Sequence, residues 1–371
     1  MILQELKLQN FRNYRESKIN FQPGTNVIFG NNGQGKTNLL EAICFLTLTK
    51  SFRTSSDQNL ILNKEPYFRI EGIFSSRSGR QAGASIAYSP QEGKRLVFNH
   101  QRIQKFTDYI GSVPIVLLDP SDLQISQGGP HLRRRFLDMM LSQASRVYLH
   151  HLVEYRRSLR QRNFLLQQET TDATLLQSWE EALLQNGLVL IQKRREAVEM
   201  LDGMIREFYA LVSGRPDKIK VVYRTAVING DAEAQENDLR KKIEQSRKDD
   251  LRSGVTSVGP HRDDLLFLIN GKPLRNVGSQ GEHKTFIIAL KMAEFRFLRE
   301  AYSEPPVLLF DDVFGELDSG RIGNMINELV RIGQVFITTT SPDFFGKYGN
   351  WENEPAFYHV EQGEIKEQVP A

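Results

Sequence analysis

The fold of this chain is decided by one stretch near its start, Val27-Ile28-Phe29-Gly30-Asn31-Asn32-Gly33-Gln34-Gly35-Lys36-Thr37-Asn38. It opens with three apolar residues that predict a buried strand, and the apolar run at residues 39–46 predicts a helix. Between them lies the spacing G-x-x-x-x-G-K-[ST], whose glycines let the backbone wrap around a phosphate with its N–H groups pointing inward. We therefore predict a phosphate-binding loop at residues 30–38 of an α/β fold.

The residues at the end of this loop predict the chemistry of its ligand. Lys36 is placed to reach the β- and γ-phosphates of ATP, and the hydroxyl of Thr37 is placed to bind Mg²⁺. The helix that begins there offers the positive end of its dipole to the same anion. The alternative is a glycine-rich turn that binds no ligand.

A second acidic segment is expected to complete the ATP site. The apolar run Val307-Leu308-Leu309-Phe310 predicts a buried parallel strand, and Asp311 and Asp312 follow it directly. The carboxyl end of such a strand is where an open α/β sheet places its ligands. We predict that Asp311 binds Mg²⁺ opposite Thr37, whereas Asp312 orients or deprotonates the attacking water. A helix N-cap or an ordinary loop is the alternative interpretation.

Two further segments are similar to motifs of ABC-type ATPases. Residues 277–282 contain Ser279-Gln280-Gly281 before a helical pattern, and Gly315-Glu316-Leu317-Asp318 follows the acidic pair. They resemble the signature motif and the D-loop, through which one protomer faces the γ-phosphate bound by the other. The resemblance implies an ATP-dependent homodimer in which Ser279, Gln280, Gly281 and Asp318 contact nucleotide. Simple helix capping is the alternative for Ser279.

The order of patterns along the chain predicts two lobes. Strand-like alternation at the start and at residues 67–99 predicts an antiparallel β meander. Helical spacing replaces it between Leu132 and Val212, and β/α alternation returns at Leu265. We expect an ABC-type P-loop ATPase head built from residues 1–130 and 255–371. We expect residues 131–254 to form an inserted, mainly α-helical lobe.

Several segments resemble bacterial RecF proteins more closely than other ATPase heads. They are residues 10–14 (Asn-Phe-Arg-Asn-Tyr), residues 133–138 (Arg-Arg-Arg-Phe-Leu-Asp), residues 259–265 (Gly-Pro-His-Arg-Asp-Asp-Leu) and residues 311–314 (Asp-Asp-Val-Phe). The resemblance spans essentially the whole chain. It implies binding to gapped, single- or double-stranded DNA, action with RecO and RecR to load RecA, support of the SOS response, and a slow ATPase. His261 and Arg262 fit a role with ATP, with DNA or in a buried ion network.

The chain departs from the wider ABC pattern at two positions. Asp312 stands where a glutamate is more usual, and Thr338-Thr339-Thr340 stands where many ABC ATPases place a switch histidine. A shorter acid reaches less far toward water, and a threonine cannot bring positive charge to the γ-phosphate. We therefore expect ATP to act as a switch with weak, DNA-dependent hydrolysis.

The distribution of charge indicates where DNA binds. Lys and Arg (48) barely exceed Asp and Glu (45) overall, but arginines are dense in the first part of the helical lobe. Arginine favours phosphate contacts, which make DNA affinity dependent on salt. The candidate DNA contacts are Arg133, Arg134, Arg135, Arg156, Arg157 and Arg160. A solvated helix face with internal ion pairs is the alternative.

Other features narrow the class of protein. A single cysteine, Cys44, excludes an internal disulfide and is expected to be a buried core residue. The first residues lack a signal-peptide pattern, and no apolar run approaches the length of a membrane helix, so we expect a cytoplasmic protein without membrane contact. The alternative functions are an ABC transporter ATP-binding subunit, a structural SMC-like clamp, and a DNA clamp with a vestigial nucleotide site.

Overall fold

The structure, a computed structural model, describes residues 1–76, 78–168, 172–302, 304–312, 333–341 and 354–368. The chain divides into two compact units. Unit 1 comprises Met1–Asp122, Leu211–Gly214 and Ile288–Ala371, and unit 2 comprises Leu123–Ala210 and Arg215–Ile287. The lobe boundaries expected at residues 131 and 255 stay a prediction, and residues 255–287 belong to unit 2.

Fifteen strands and eight α-helices lie within the described residues. The strands are β1 (Ile2–Phe11), β2 (Tyr14–Asn20), β3 (Thr25–Phe29), β4 (Phe68–Ser75), β5 (Gln81–Ser89), β6 (Gly93–Phe98), β7 (Gln101–Ile103), β8 (Ile115–Leu118), β9 (Ile219–Arg224), β10 (Asp264–Ile269), β11 (Lys272–Pro273), β12 (Val307–Phe310), β13 (Val335–Thr339), β14 (Ala356–Glu361) and β15 (Glu364–Gln368). The helices are α1 (Lys36–Leu48), α2 (Leu123–Gln127), α3 (Pro130–Ala144), α4 (Arg146–Leu166), α5 (Ala173–Ser213), α6 (Ala232–Ser253), α7 (Leu274–Val277) and α8 (Gln280–Tyr302).

An antiparallel six-stranded sheet forms one layer of unit 1. Its strand order is β2-β1-β4-β5-β6-β7, with every neighbouring pair antiparallel. Buried and exposed residues alternate along the strands because one face of the sheet packs on the core. In β1, for example, Leu6 and Leu8 are buried, whereas Lys7 between them is exposed. This sheet is the predicted β meander.

A second six-stranded sheet of unit 1 carries the candidate site. Its order is β15-β14-β3-β13-β12-β8, and all its pairs are parallel except β14 with β15. The four residues of β12 are all buried, as expected for a strand covered on both faces. Because β3, β12 and β13 run parallel, their carboxyl ends lie at the same edge of the sheet.

Helix α1 joins the two sheets into one core. It contacts β1, β4 and β5 of the antiparallel sheet and β8 and β13 of the parallel sheet. Residues 39–47 of α1 are all buried, Cys44 among them, so nearly the whole circumference of the helix is covered. This burial fixes the start of α1 relative to the ends of the parallel strands.

Unit 2 is mainly helical and carries a small sheet of order β11-β10-β9. The mixed α/β fold predicted from the sequence, with an antiparallel sheet, a parallel sheet and a mainly helical unit, is confirmed. The sequence did not predict β9 and the polar helix α6 of unit 2, nor the short elements α2, β11 and α7. Among the described residues, no helix is long and apolar enough to cross a membrane.

Candidate functional site

The loop between β3 and α1 has the backbone of a phosphate cradle. Gly30, Gly33 and Gly35 have φ values of 147°, 80° and 122°, a region that favours glycine. A Cβ at position 30 would lie 2.3 Å from the carbonyl oxygen of Val360, and one at position 35 would lie 2.7 Å from Nδ2 of Asn13. Both positions therefore exclude any side chain, which explains the glycines in the motif.

The side chain of Lys36 lies inside this loop and hydrogen-bonds to its backbone. Its side chain is buried, and Nζ donates to the carbonyl oxygens of Gly30 at 2.6 Å and Asn31 at 2.9 Å. Burial lowers the pKa of Lys36, and the nearby charges of Asp312 and Asp311 oppose that shift. A buried cation is thus held at the centre of the loop, where it can attract an anion.

Thr37 and Asp311 meet across the edge of the parallel sheet. The hydroxyl of Thr37 donates to Oδ1 of Asp311 at 2.9 Å, although the two residues are 274 positions apart. Burial raises the pKa of Asp311, and hydrogen bonds from Thr338 and Thr37 oppose that shift. Asp119 follows β8, the neighbour of β12, and its charge also raises this pKa.

The Thr37 and Asp311 oxygens fit a Mg²⁺ ion. Mg²⁺ prefers hard oxygen ligands and usually takes one or two from the protein, with phosphates and water completing its octahedron. No group of three His, Cys, Asp or Glu side chains in the described part of the chain could hold a metal alone. The pair therefore suits a cation that arrives with a phosphate ligand.

Thr338 links the two acidic residues. Its hydroxyl donates to Oδ1 of Asp311 at 2.8 Å and accepts from the backbone N–H of Asp312 at 2.8 Å. Asp312 has a φ of 50° and is exposed, whereas Asp311 is buried. Thr338, the first of the three threonines at the place of a switch histidine, thus orients the Asp311 carboxylate and holds the backbone of Asp312.

The hairpin between β1 and β2 braces the loop from outside. Asn13 Nδ2 donates to the carbonyl oxygen of Gln34 at 2.8 Å, and the Tyr14 hydroxyl donates to that of Gly35 at 2.9 Å. Asn38 Nδ2 donates to Oδ1 of Asn13 at 2.8 Å, which ties the hairpin to α1. Sequence reasoning did not assign this role, and the resemblance of residues 10–14 to RecF proteins was the signal that marked them.

A buried ion pair anchors the same hairpin to α1. Arg12 donates to both carboxylate oxygens of Glu41, Nε at 2.8 Å and Nη2 at 2.7 Å. Glu41 is fully buried, and the Ser51 hydroxyl donates to its Oε1 at 2.5 Å. Because a two-pronged pair fixes orientation as well as distance, it holds the hairpin in register with the loop.

The signature-like segment lies in unit 2 and caps α8. The Ser279 hydroxyl accepts from the N–H of Glu282 at 3.3 Å, and Glu282 Oε2 accepts from the N–H of Ser279 at 2.6 Å. This is a capping box, so the capping interpretation holds for the single chain. Ser279 and Gln280 are exposed and Gly281 is partly exposed, which leaves them accessible for a second role. Asp318 lies outside the described residues.

The candidate DNA-binding arginines of unit 2 differ in their surroundings. Arg133 is buried and donates to both carboxylate oxygens of Asp264, at 2.7 and 3.0 Å, which removes it from the predicted DNA-contact set. Arg134 donates to the carbonyl oxygen of Asp263 at 2.6 Å. Arg156 is exposed but forms an ion pair with Asp138 at 2.9 Å. Arg135, Arg157 and Arg160 are exposed on the surface of α3 and α4.

Residues 259–265 belong to an internal network of unit 2. The Tyr155 hydroxyl lies 2.6 Å from Nδ1 of His261, whose Nε2 lies 3.0 Å from the carbonyl oxygen of Thr256. Nε2 therefore carries the proton, and Nδ1 accepts from Tyr155. Burial lowers the pKa of His261 to about 4. Of the roles left open for His261, the buried network is the one that these contacts favour.

Arg194 and Arg162 hold other parts of unit 2 together. Arg194 donates to Asp138 at 2.7 Å and to the carbonyl oxygen of Pro260 at 2.7 Å. Arg162 is fully buried and pairs with Glu180 at 2.9 Å and Asp250 at 2.7 Å. Such pairs join segments that are far apart in the sequence.

The chain is similar to known proteins over nearly its full length. Residues 2–366 match the family model described as the RecF/RecN/SMC N terminal domain. A protein of Halalkalibacterium halodurans named DNA replication and repair protein RecF is 37% identical over 99% of this chain and 100% of its own length. A relative of the same name from Listeria innocua is also 37% identical over 99% of this chain and 100% of its own length.

Solved structures agree with these relatives. A structure of the recombination mediator protein RecF with ATP, in the RecFOR pathway, is 31% identical and has a TM-score of 0.91, covering 99% of this chain and 98% of its own. An Smc head bound to the C-winged helix domain of ScpA is 16% identical, with a TM-score of 0.57 and coverage of 99% and 97%, and it shares the fold alone.

Proposed function

The chain belongs to the RecF family of the RecF/RecN/SMC proteins, and from that membership we propose that it is an ATP-dependent DNA-binding protein of recombinational repair and replication. In this proposal it acts in the cytoplasm with RecR and RecO, upstream of RecA loading and the SOS response. The relatives' shared name and the neighbour's RecFOR pathway support these partners. Sequence identity to RecF proteins over nearly the full chain favours this function over that of a transporter subunit.

One observation carries the nucleotide part of the proposal, namely the 2.9 Å contact between Thr37 and Asp311. It brings a phosphate loop and an acidic strand end together in one unit. The neighbouring structure with ATP supports the choice of ATP as ligand. Mg²⁺ bound by Thr37 and Asp311 would neutralise phosphate charge at this point.

The remaining residues of the site receive distinct roles in this proposal. Backbone N–H groups of residues 30–38 bind the phosphates, and Lys36 turns its ammonium toward the β- and γ-phosphates. Asp312, exposed beside the site, orients the attacking water. Since Thr338 brings no positive charge, turnover is slow and bound ATP acts as a switch.

We further propose that ATP joins two copies of the chain. Ser279, Gln280 and Gly281 of one copy would face the γ-phosphate bound by the other, together with Asp318. The exposure of Ser279 and Gln280 at the start of α8 supports this, because a helix N-terminus attracts anions. Arg135, Arg157 and Arg160 are the arginines best placed for DNA phosphates.

The first experiment compares the native chain with Lys36→Met. Self-association is followed by analytical ultracentrifugation, and binding to gapped duplex DNA by fluorescence anisotropy, each with and without Mg²⁺ and ATP. We expect ATP to promote dimers and DNA binding in the native chain and to do neither in the variant. Lys105→Met, which removes an exposed lysine of unit 1, is the matched control. Identical responses of Lys36→Met and the native chain would refute the switch.

The second experiment separates the split site from helix capping. Aspartate caps a helix as well as serine does, so Ser279→Asp keeps the start of α8 but brings a negative charge toward phosphate. We expect Ser279→Asp to prevent ATP-dependent dimerisation while the monomer binds ATP normally. Ser279→Asn, which caps the helix without the charge, is the control. ATP-driven dimers of Ser279→Asp would exclude the split site.

A further inference from the structure

The antiparallel sheet of unit 1 has an outer face that the parallel sheet does not cover. Residues that pair directly across neighbouring strands point to the same side, so the register defines rows on this face. One row contains Arg69, Ala87 and Arg95, and the next contains Glu71, Ser85, Val97 and Arg102. These side chains are exposed or partly exposed, whereas their chain neighbours Ile70, Ile86 and Leu96 are fully buried.

Strand β5 forms the floor of a trough along this face. It contributes only small residues there, Gly83, Ser85, Ala87 and Ser89, while the flanking strands contribute long ones. These four positions span about 20 Å at the usual rise of a strand. The wider end encloses about 530 Å³ and is lined by residues that include Tyr67, Arg69, Ala87, Arg95 and Arg102.

Positive charge is concentrated at that wider end. Arg69 and Arg95 lie on either side of Ala87, about 10 Å apart at the backbone because two strand spacings separate them. About half of each side chain is exposed, and both form ion pairs that are open to solvent: Arg69 lies 3.7 Å from Glu71, and Arg95 lies 3.0 Å from Glu92. Arg102 on β7 adds a third guanidinium.

The walls nearer the other end are apolar and acidic. Ile73 and Val97 are large hydrophobic residues that remain exposed, at 37% and 36%. Glu5 and Glu71 line the same stretch, together with Lys7. The trough therefore offers arginines at one end and, toward the other end, exposed apolar residues together with carboxylates and Lys7.

We propose that this trough, formed by β4 to β7, binds an extended acidic peptide segment of a partner protein. Carboxylates of the segment pair with Arg69, Arg95 and Arg102, and its apolar side chains cover Ile73 and Val97. An extended chain fits a floor about 20 Å long, equal to about six residues. The small floor residues allow its backbone to approach the sheet closely.

The charge pattern favours a peptide over single-stranded nucleic acid. A nucleic acid carries a phosphate at every step, so several phosphates would lie beside Glu5, Glu71 and Glu92 along the trough. A peptide needs acids only opposite the arginines and can place apolar or basic residues opposite the glutamates. Electrostatic complementarity of this kind selects the partner.

The test uses the full chain and fluorescein-labelled peptides. The probe is an eight-residue peptide that alternates Asp or Glu with Leu in one half and Lys with Leu in the other, and the control probe carries Lys in place of every acid. An oligothymidine of twelve nucleotides is the third probe. We expect the acidic peptide to bind and the other two not to bind. Equal binding of both peptides, or binding of the oligothymidine alone, would overturn the proposal.

Two variants locate the binding in the trough. Arg95→Glu replaces one attraction by a repulsion and should weaken acidic-peptide binding about tenfold, since each exposed pair contributes up to ~1 kcal/mol. Gly83→Val raises a side chain from the floor where a Cβ meets nothing within 4 Å, so it should block the trough without disturbing the fold. Unchanged peptide affinity in both variants would contradict the proposal.

A site-specific label gives an independent readout. Cys44 is buried, so Ser89→Cys supplies an accessible thiol at the end of the trough for an environment-sensitive dye. The acidic peptide should change the emission of this dye, and Gly83→Val should abolish that change. No change at saturating peptide would place the binding elsewhere. ATP-dependent dimerisation should be normal in Arg95→Glu, because the trough proposal is independent of the nucleotide site.

Discussion

Removing the hydroxyl of Thr338 tests how the acidic side of the nucleotide site is held. Thr338→Val keeps the shape of this buried side chain but deletes two hydrogen bonds of 2.8 Å, one to the Asp311 carboxylate and one from the Asp312 N–H. A hydrogen bond to a charged group contributes about 1.5–3 kcal/mol, and a neutral one about 1 kcal/mol. Without the first bond, Asp311 is free to rotate away from Thr37.

The expected effect is a selective loss of Mg²⁺-dependent binding. If only the lost hydrogen bond to the Asp311 carboxylate weakens the nucleotide complex, Mg²⁺-ATP affinity falls about 10- to 100-fold, since 1.4 kcal/mol corresponds to a factor of ten. ATP without Mg²⁺ should bind nearly as before, because the loop and Lys36 are untouched. The assay is a titration with a fluorescent ATP analogue, with and without Mg²⁺, followed by ATP hydrolysis at saturating nucleotide.

Thr338→Ser is the matched control, because it keeps the hydroxyl and loses only a methyl group. Its Mg²⁺-ATP affinity should stay within about threefold of the native value, an allowance of ~0.6 kcal/mol. Thermal unfolding of both variants checks that the site remains folded. Native Mg²⁺-ATP affinity in Thr338→Val, or an equal loss in both variants, would refute the positioning role of the hydroxyl.

Three further predictions concern the hairpin brace and the interior of unit 2. Tyr14→Phe removes the hydrogen bond to Gly35, worth about 1 kcal/mol, and should weaken ATP binding about fivefold in the same titration without unfolding the chain. Arg162→Met removes the ion pair of buried Asp250 and leaves Glu180 paired with Arg247. It should lower the free energy of unfolding by about 3–5 kcal/mol in urea, whereas the exposed Arg160→Met should change it by less than about 0.5 kcal/mol. The pKa of His261 is about 4 in the folded chain and 6.5 in the unfolded chain. Between these values the unfolded state binds more protons, so the free energy of unfolding decreases as the pH is lowered. Through this histidine, the free energy of unfolding of the native chain should decrease by about 2 kcal/mol from pH 7 to pH 5. Urea unfolding of His261→Gln should not show this decrease.

The phosphate loop and the acidic strand end could be predicted because each is contained in one short segment. The strand, the glycines and the helix of residues 27–46 are contiguous, and Asp311 follows β12 directly. The support around them could not be predicted in the same way. Asn13 and Tyr14 lie 21 residues from the carbonyl groups they bind, and Thr338 lies 26 residues from Asp312. Only the folded sheet brings these partners together.

Helix α6 was missed for a different physical reason. Only Leu239, Ile243 and Asp250 of its 22 residues are buried, so its apolar spacing is too sparse to indicate a helix. Its N-terminal signal was nevertheless present, since the Asp231 side chain accepts from the N–H of Ala234 as an N-cap. Capping residues therefore carry information on polar helices that hydrophobic periodicity lacks.

The arginines of unit 2 illustrate why local charge excess overstates a DNA-binding surface. Arg133 pairs with Asp264 across 131 positions, and Arg162 pairs with Asp250 across 88. A charge count over residues 131–169 includes these arginines but omits their acids, because the acids come from later segments. Burial costs a charge its hydration, so an arginine that is buried must find such a partner. The charge available to DNA is therefore that of the exposed guanidiniums. Substitution of Arg135, Arg157 or Arg160 should reduce the salt dependence of DNA binding, whereas substitution of Arg133 should reduce stability instead.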